Sequence, residues 1–151
     1  MEREEAEWVV QRHGQTVYRL AYARTGNRED AEDVTQETFL RLVRAAPKFR
    51  DEDHCRAWLL RVAANCAQDL FRAPWRKRER PIEEAERVPA PGQVPEPGGV
   101  LEAVLSLFYY EGLSIREIAG VLGKREGAVR TSLTRARALL RDKLKEEGDY
   151  V

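Results

Sequence analysis

Six of the chain's seven prolines fall between Pro74 and Pro97, in the stretch "RAPWRKRERPIEEAERVPAPGQVPEPGG". Proline fixes its own φ and offers no backbone N–H, so neither helix nor strand should persist through such a run. The run therefore reads as a linker over residues 73–99, with one module before it (1–72) and one after it (100–151). A chain of 151 residues has room for two small domains of this kind.

Both sides carry helical periodicity and neither carries a strand alternation, so the expected class is all-α. In the first module a helix is expected over Glu4–Arg24, with Trp8, Val9, Val17, Leu20 and Ala21 as its apolar residues. The break at "TGN" follows, and Asn27 can cap a second helix whose first turn holds Asp30, where negative charge is favoured. Phe39, Leu42, Val43 and Ala46 run i, i+3, i+4, i+7 along it, and Pro47 ends it. A third helix carries Leu59, Val62, Ala63, Cys66 and Leu70 on one face.

The second module opens with "VLEAVLSLFYYEG", read as a helix stopped at Gly112. Ser114 and Glu117 have capping-box spacing: serine accepts from the backbone N–H three residues on, and glutamate accepts from the serine N–H. Ile115, Ile118, Ala119 and Leu122 then face inward, Gly123 can take the left-handed conformation of a sharp turn, and Val129, Leu133 and Ala136 define the next helix. A small residue, a turn glycine and an aliphatic residue in this order are helix-turn-helix spacing. Lys124 and Arg125 stand at the turn, and Arg130, Thr131, Thr134, Arg135 and Arg137 fall on or beside the free face. Arginine can pair with guanine edges or clamp phosphates, and threonine can contact either. Charge alone equally suits a solvated surface helix; the turn spacing and the capping box tip the reading to DNA.

Charge is distributed to match. The chain as a whole has formal net charge zero. Between Leu113 and Lys145, however, nine basic residues face three acidic ones, a local +6, while acids dominate in "REDAEDVTQE". Two cysteines, Cys55 and Cys66, make no disulfide framework, and the single His54–Cys55 pair has no second pair at ligand spacing, which argues against zinc. No apolar run reaches membrane-spanning length, and "MEREEAEW" is too acidic for a signal peptide, so the expected compartment is the cytoplasm. His13 and His54 lack partners at catalytic spacing, and no phosphate-cradling glycine loop is present, so no enzymatic activity, metal or cofactor is expected.

Two stretches together carry a resemblance. "REDAEDVTQETFLRL" followed by "AWLLRVAANCAQDLFR" resembles region 2 of the extracytoplasmic-function (ECF) sigma factors of bacterial RNA polymerase, and "YYEGLSIREIAGVLGKREGAVRTSLTRARALLRDKL" resembles their region 4. The resemblance covers roughly residues 6–145 and is specific chiefly because the two halves occur in this order. It implies a sigma factor that confers promoter recognition and strand opening on core polymerase. Asp30, Asp33, Gln36 and Glu37 match the acidic surface that grips the polymerase clamp helices. Trp58, Arg61, Asn65 and Asp69 match the helix that meets the −10 element, and Phe49 lies in the loop that pockets a flipped base of the non-template strand. As residues alone, Trp58 equally suits a core and Asn65 a hydrogen-bonded structural amide. Lys124, Arg125, Arg130, Thr131, Thr134 and Arg135 match the turn and the recognition helix that meet the −35 element.

Further partners implied are the polymerase flap and an anti-sigma factor, with the free protein monomeric. The sequence departs from the family ahead of "FYYEG", where about ten residues, two or three helical turns, have no counterpart. Leu101, Val104, Leu105 and Phe108 would then cover the helix-turn-helix alone. A stand-alone helix-turn-helix regulator and a degenerate paralogue that only binds polymerase are the competing readings.

Overall fold

The computed structural model describes residues 1–72 and 99–148; the expected linker, Gly99 apart, lies outside the described residues. Among the described residues every regular element is helical. The helices are α1 (Arg3–Thr25), α2 (Arg28–Ala45), α3 (Glu52–Arg72), α4 (Val100–Leu105), α5 (Ile115–Leu122) and α6 (Glu126–Gly148). A π-helical turn, Ser106–Tyr110, continues α4.

The helix boundaries follow local chemistry. Asn27 Oδ1 accepts from the Asp30 N–H at 2.8 Å and starts α2, as its capping position predicts. The α2 stop is sharper than Pro47 alone requires, because Ala46 takes a left-handed φ of 44°. At α5 both halves of the capping box are formed, each at 3.1 Å. Gly123, at φ 66°, closes α5, and the Lys124 N–H reaches back to the Ala119 carbonyl.

The first three helices form a bundle whose centre is Val17, Leu20, Leu42, Leu59 and Ala63, all fully buried. The expected α2 stripe is displaced: Ala31, Val34, Thr38 and Leu42 are buried, while Val43 and Ala46 are exposed. Thr38 can replace an apolar residue there because its hydroxyl donates to the Val34 carbonyl at 2.7 Å. Trp8 is likewise exposed rather than in the core. In α3 the expected face is joined by a second, Leu60, Ala64 and Ala67, so this helix is covered on two sides. α1 and α2 lie on one side and α5 on the other.

That second contact joins the two halves. α3 packs on α5, and α1 packs on α4 and the π-helical turn, so one apolar cluster runs through both halves. Val100, Ala103, Val104 and Leu107 are the buried residues behind the helix-turn-helix; Leu101, Leu105 and Phe108, expected to cover it, are only half-buried. The expected single helix up to Gly112 instead changes pitch at Ser106, where the Glu111 N–H bonds to the Ser106 carbonyl five residues back. The extra residue in that turn directs Leu107 inward and leaves Tyr109 and Tyr110 in solvent.

His13 of α1 is buried, and its Nε2 has no hydrogen-bond partner. Burial pushes its pKa below the usual value; nearby Glu52 raises it in part, and Arg12 and Arg56 add to the depression. The neutral imidazole is therefore the folded form, and the unfolded chain binds the proton more readily. Stability is accordingly present above the unfolded pKa of about 6.5 and is lost as pH falls through it. Urea unfolding midpoints should drop between about pH 7.5 and about pH 5.5, and His13→Leu should flatten that drop. An unchanged slope in the variant would assign the acid sensitivity elsewhere.

Candidate functional site

Three surfaces gather the residues singled out in the sequence. The first is a groove of about 420 Å³ between α2 and α3. Asp33, Gln36 and Glu37 form its α2 wall, Asp69 and Leu70 its α3 wall, and Leu40 lies between. Glu37 pairs with Arg41 at 3.2 Å, and Arg41 also approaches Asp69 at 3.6 Å, so the arginine bridges the two helices. Asp30 does not line this groove. It is turned to the start of α2, where its carboxylate accepts from Asn27 Nδ2 at 2.8 Å. Leu40 escaped the sequence reading because it lies off the buried stripe, yet it is 43 % exposed beside three polar neighbours. The arrangement is an acidic rim around an apolar floor, suited to a helix that carries both basic and apolar side chains.

The second surface is the exposed face of α3 and the loop before it. Phe49 packs edge-on against Trp58, ring centroids 5.9 Å apart, and against His54 at 5.4 Å. The loop is further pinned by the Arg50 N–H donating to His54 Nδ1 at 3.1 Å. Trp58 is half-buried against the core, so it serves packing and still presents an edge, while Asn65 is exposed and not a buried amide. Phe49 and Trp58, nine positions apart, are thus one aromatic platform with an amide on the same helix face, a combination that can stack on and pair with unstacked bases. Arg61 shares that face, but its guanidinium donates to the Gly120 carbonyl of α5.

The third surface is α6. Val129, Leu133 and Ala136 are buried as expected, and Arg125, Arg130, Thr131, Thr134 and Arg135 are exposed along the opposite side; Lys124 at the turn is half-buried. The hydroxyls of Thr131 and Thr134 donate to the carbonyls of Gly127 (3.0 Å) and Arg130 (2.9 Å), which leaves their oxygens as acceptors for base amino groups. Arg130 stands 3.7 Å from Glu126, an exposed pair of little energetic weight. Arg137 is not on this face. It lies over Phe108 (5.3 Å) and donates to Tyr109 Oη at 2.8 Å, bracing α6 against the π-helical turn. Sequence periodicity could not show this, because the aromatic side chains come from another element.

Among the described residues no three His, Cys, Asp or Glu side chains come together as a metal site, and no helix is long and apolar enough to cross a membrane. Cys55 and Cys66 are buried free thiols, and burial raises the pKa of each.

Comparison with known proteins agrees on both halves. The Sigma-70 region 2 family matches residues 9–77, and the Sigma-70, region 4 family matches residues 101–140. The ECF RNA polymerase sigma factor SigE of Mycolicibacterium smegmatis is 37 % identical over 155 residues, covering 90 % of this chain and 60 % of SigE. The ECF RNA polymerase sigma factor SigD of Mycobacterium bovis is 32 % identical over 160 residues, covering 89 % of this chain and 74 % of SigD. Among solved structures, CnrH in complex with the cytosolic domain of CnrY superposes with a TM-score of 0.64 at 31 % identity, covering 96 % of this chain and 90 % of that one. The chain thus spans about three fifths of the length of SigE and most of the length of CnrH. It belongs to the ECF group of the sigma-70 family of RNA polymerase sigma factors.

Proposed function

We propose that this chain is a sigma factor that binds bacterial core RNA polymerase, selects promoters and assists strand opening, with no active site of its own. The observation that carries this reading is the presence, in one chain, of an acidic groove with an apolar floor and a capped helix-turn-helix with a basic outer face. A stand-alone DNA-binding regulator needs only the second. In this reading Asp33, Gln36 and Glu37 meet the polymerase clamp helices, with Leu40 as the apolar anchor. Asp30 acts one step removed, by fixing the start of α2. Phe49, Trp58, Arg61 and Asn65 meet the opened −10 element, and Lys124, Arg125, Arg130, Thr131, Thr134 and Arg135 meet the −35 element. The protein works in the cytoplasm, where its polymerase is. The family resemblance implies an anti-sigma factor, and its relative CnrH is found with a protein partner, the cytosolic domain of CnrY, so a protein partner of that kind belongs to the proposal.

The test is run-off transcription with reconstituted core enzyme, preceded by affinity capture of the core. Capture together with a promoter-specific transcript supports the reading. DNA binding without capture leaves a stand-alone regulator, and capture without any specific transcript leaves a polymerase-binding paralogue. Arg135→Ala should lower promoter affinity by about 1–3 kcal/mol and relax the preference at one base pair of the −35 element. A loss spread evenly over all sequences would make Arg135 a phosphate contact instead.

A further inference from the structure

The apolar stripe that packs α6 into the molecule runs on past the point where the molecule covers it. Val129, Leu133 and Ala136 are buried, and Leu140 and Leu144 continue the same helical repeat. Those two leucines are 45 % and 57 % exposed, and every residue of α6 from Arg137 to Glu146 is exposed. At about 1.5 Å per residue, about 13 Å of helix between Ala136 and Lys145 carries an uncovered apolar seam.

Charge is sorted around this seam. Arg137, Leu140, Arg141, Leu144 and Lys145 line one shallow hollow. At about 100° per residue, Lys143 falls on the other flank of the leucines, while Asp142 and Glu146 fall behind them. The end of α6 is thus a short helix with leucines between basic flanks. The α2–α3 groove is its counterpart: Leu40 lies at the floor, and Asp33, Glu37 and Asp69 stand on the walls. The wall from Asp33 to Leu40 runs about 10 Å, close to the length of the seam. Within one chain α6 packs on α4 and α5, not on α2. The helix end that fills a groove therefore comes from a second copy.

We propose that α6 of one chain docks by Leu140 and Leu144 into the α2–α3 groove of another, with Arg141, Lys143 and Lys145 set against Asp33, Glu37 and Asp69. Docking removes the seam from water and closes the groove to any other helix. The contact is heterologous, so each pair still offers one free groove and one free helix end. It is small, of the weak and transient class below about 1,200 Å², so dilute chain is monomeric and concentrated chain is not. Its consequence for transcription rests on the assignment of this groove to the polymerase clamp helices: surplus sigma factor masks its own docking groove.

Sedimentation equilibrium of the full chain tests the association. Between about 5 µM and about 500 µM the weight-average mass should climb from 17.4 kDa to at least twice that value. Raising salt from about 0.05 M to about 0.5 M should weaken the association severalfold. Leu144→Asp and Leu40→Asp each alter an exposed side chain, and each should hold the chain at monomer mass with helical circular dichroism retained. The two should complement one another. Leu144→Asp keeps its groove and Leu40→Asp keeps its helix end, so an equimolar mixture should form a dimer and nothing larger. Core enzyme supplies the second readout. Unlabelled Leu40→Asp, at about twice the dissociation constant of the self-contact, should lower the apparent affinity of labelled native chain for core about threefold. A chain carrying both Leu40→Asp and Leu144→Asp should not. A native chain monomeric at the highest concentration, single variants that associate like the native chain, a mixture that stays monomeric, or equal competition by the single and double variants would each overturn the proposal. If core enzyme captures no native chain, the sigma-factor reading fails, while the mass series still decides self-docking.

Discussion

Leu40→Asp should lower the affinity of the chain for core RNA polymerase by about 2–4 kcal/mol, roughly thirty- to a thousandfold. The side chain lies between the Asp33–Glu37 wall and the Asp69–Leu70 wall of the α2–α3 groove. An apolar residue at the centre of a charged rim is where an interface gains most, because the rim excludes water from it. Aspartate there would be desolvated by any docked helix, and the apolar contact at the centre of the rim would be lost. Asp33→Lys acts on the rim and should have a smaller effect at high salt, since surface charges steer encounter more than they hold the complex. Leu40 is 43 % exposed in the free chain, so its loss should scarcely change the unfolding midpoint, which separates an interface effect from misfolding. Titration of labelled chain with core enzyme reads the affinity. A value within threefold of the native one would remove the groove from the polymerase interface. Duplex binding through α6 should be unaltered in the same variant.

What the sequence disclosed depended on how local the cause was. The caps at Asn27 and Ser114 and the turn at Gly123 are set by residues within three or four positions, and the structure forms each one. The buried face of α6 was equally legible, because Val129, Leu133 and Ala136 repeat on one side of one helix. The α2 stripe was misread by one step because a buried threonine satisfied by its own helix looks polar in a periodicity count. Arg61 was legible as a member of a helix face but not as a donor to Gly120, a contact between residues 59 positions apart. Arg137 was placed on or beside the free face of α6, and its contact with Tyr109, 28 positions away, was not legible; Leu40 was missed because it lies off the buried stripe. Proline content marked a boundary between two halves. It could not show that α3 would bury a second face against α5, although Leu60, Ala64 and Ala67 already stood at i, i+4, i+7.

The π-helical turn allows a contrast within five residues. Leu107→Ala should cost about 2–5 kcal/mol, while Tyr110→Ala, three residues on, should cost at most about 0.5 kcal/mol. Leu107 is fully buried, and the turn that carries it packs on α1 and α5, so its removal leaves a cavity that rigid helices on either side cannot close. Tyr110 is 77 % exposed and meets the body chiefly through Arg19, 5.9 Å from its ring centre. Small domains have total stabilities of about 5–15 kcal/mol, so the leucine variant would be partly unfolded at moderate temperature. Its effect should reach promoter binding as well. The neighbouring Phe108 and Tyr109 hold Arg137, and through it the flank of α6, in place. A turn loosened at Leu107 should therefore weaken duplex binding even at temperatures where the chain remains folded. Urea unfolding of the two variants side by side decides the matter. Equal losses would mean that the pitch change at Ser106 does not sort Leu107 inward and Tyr110 outward in solution. Some other packing force would then have to end the α-helical pitch of α4 at Ser106.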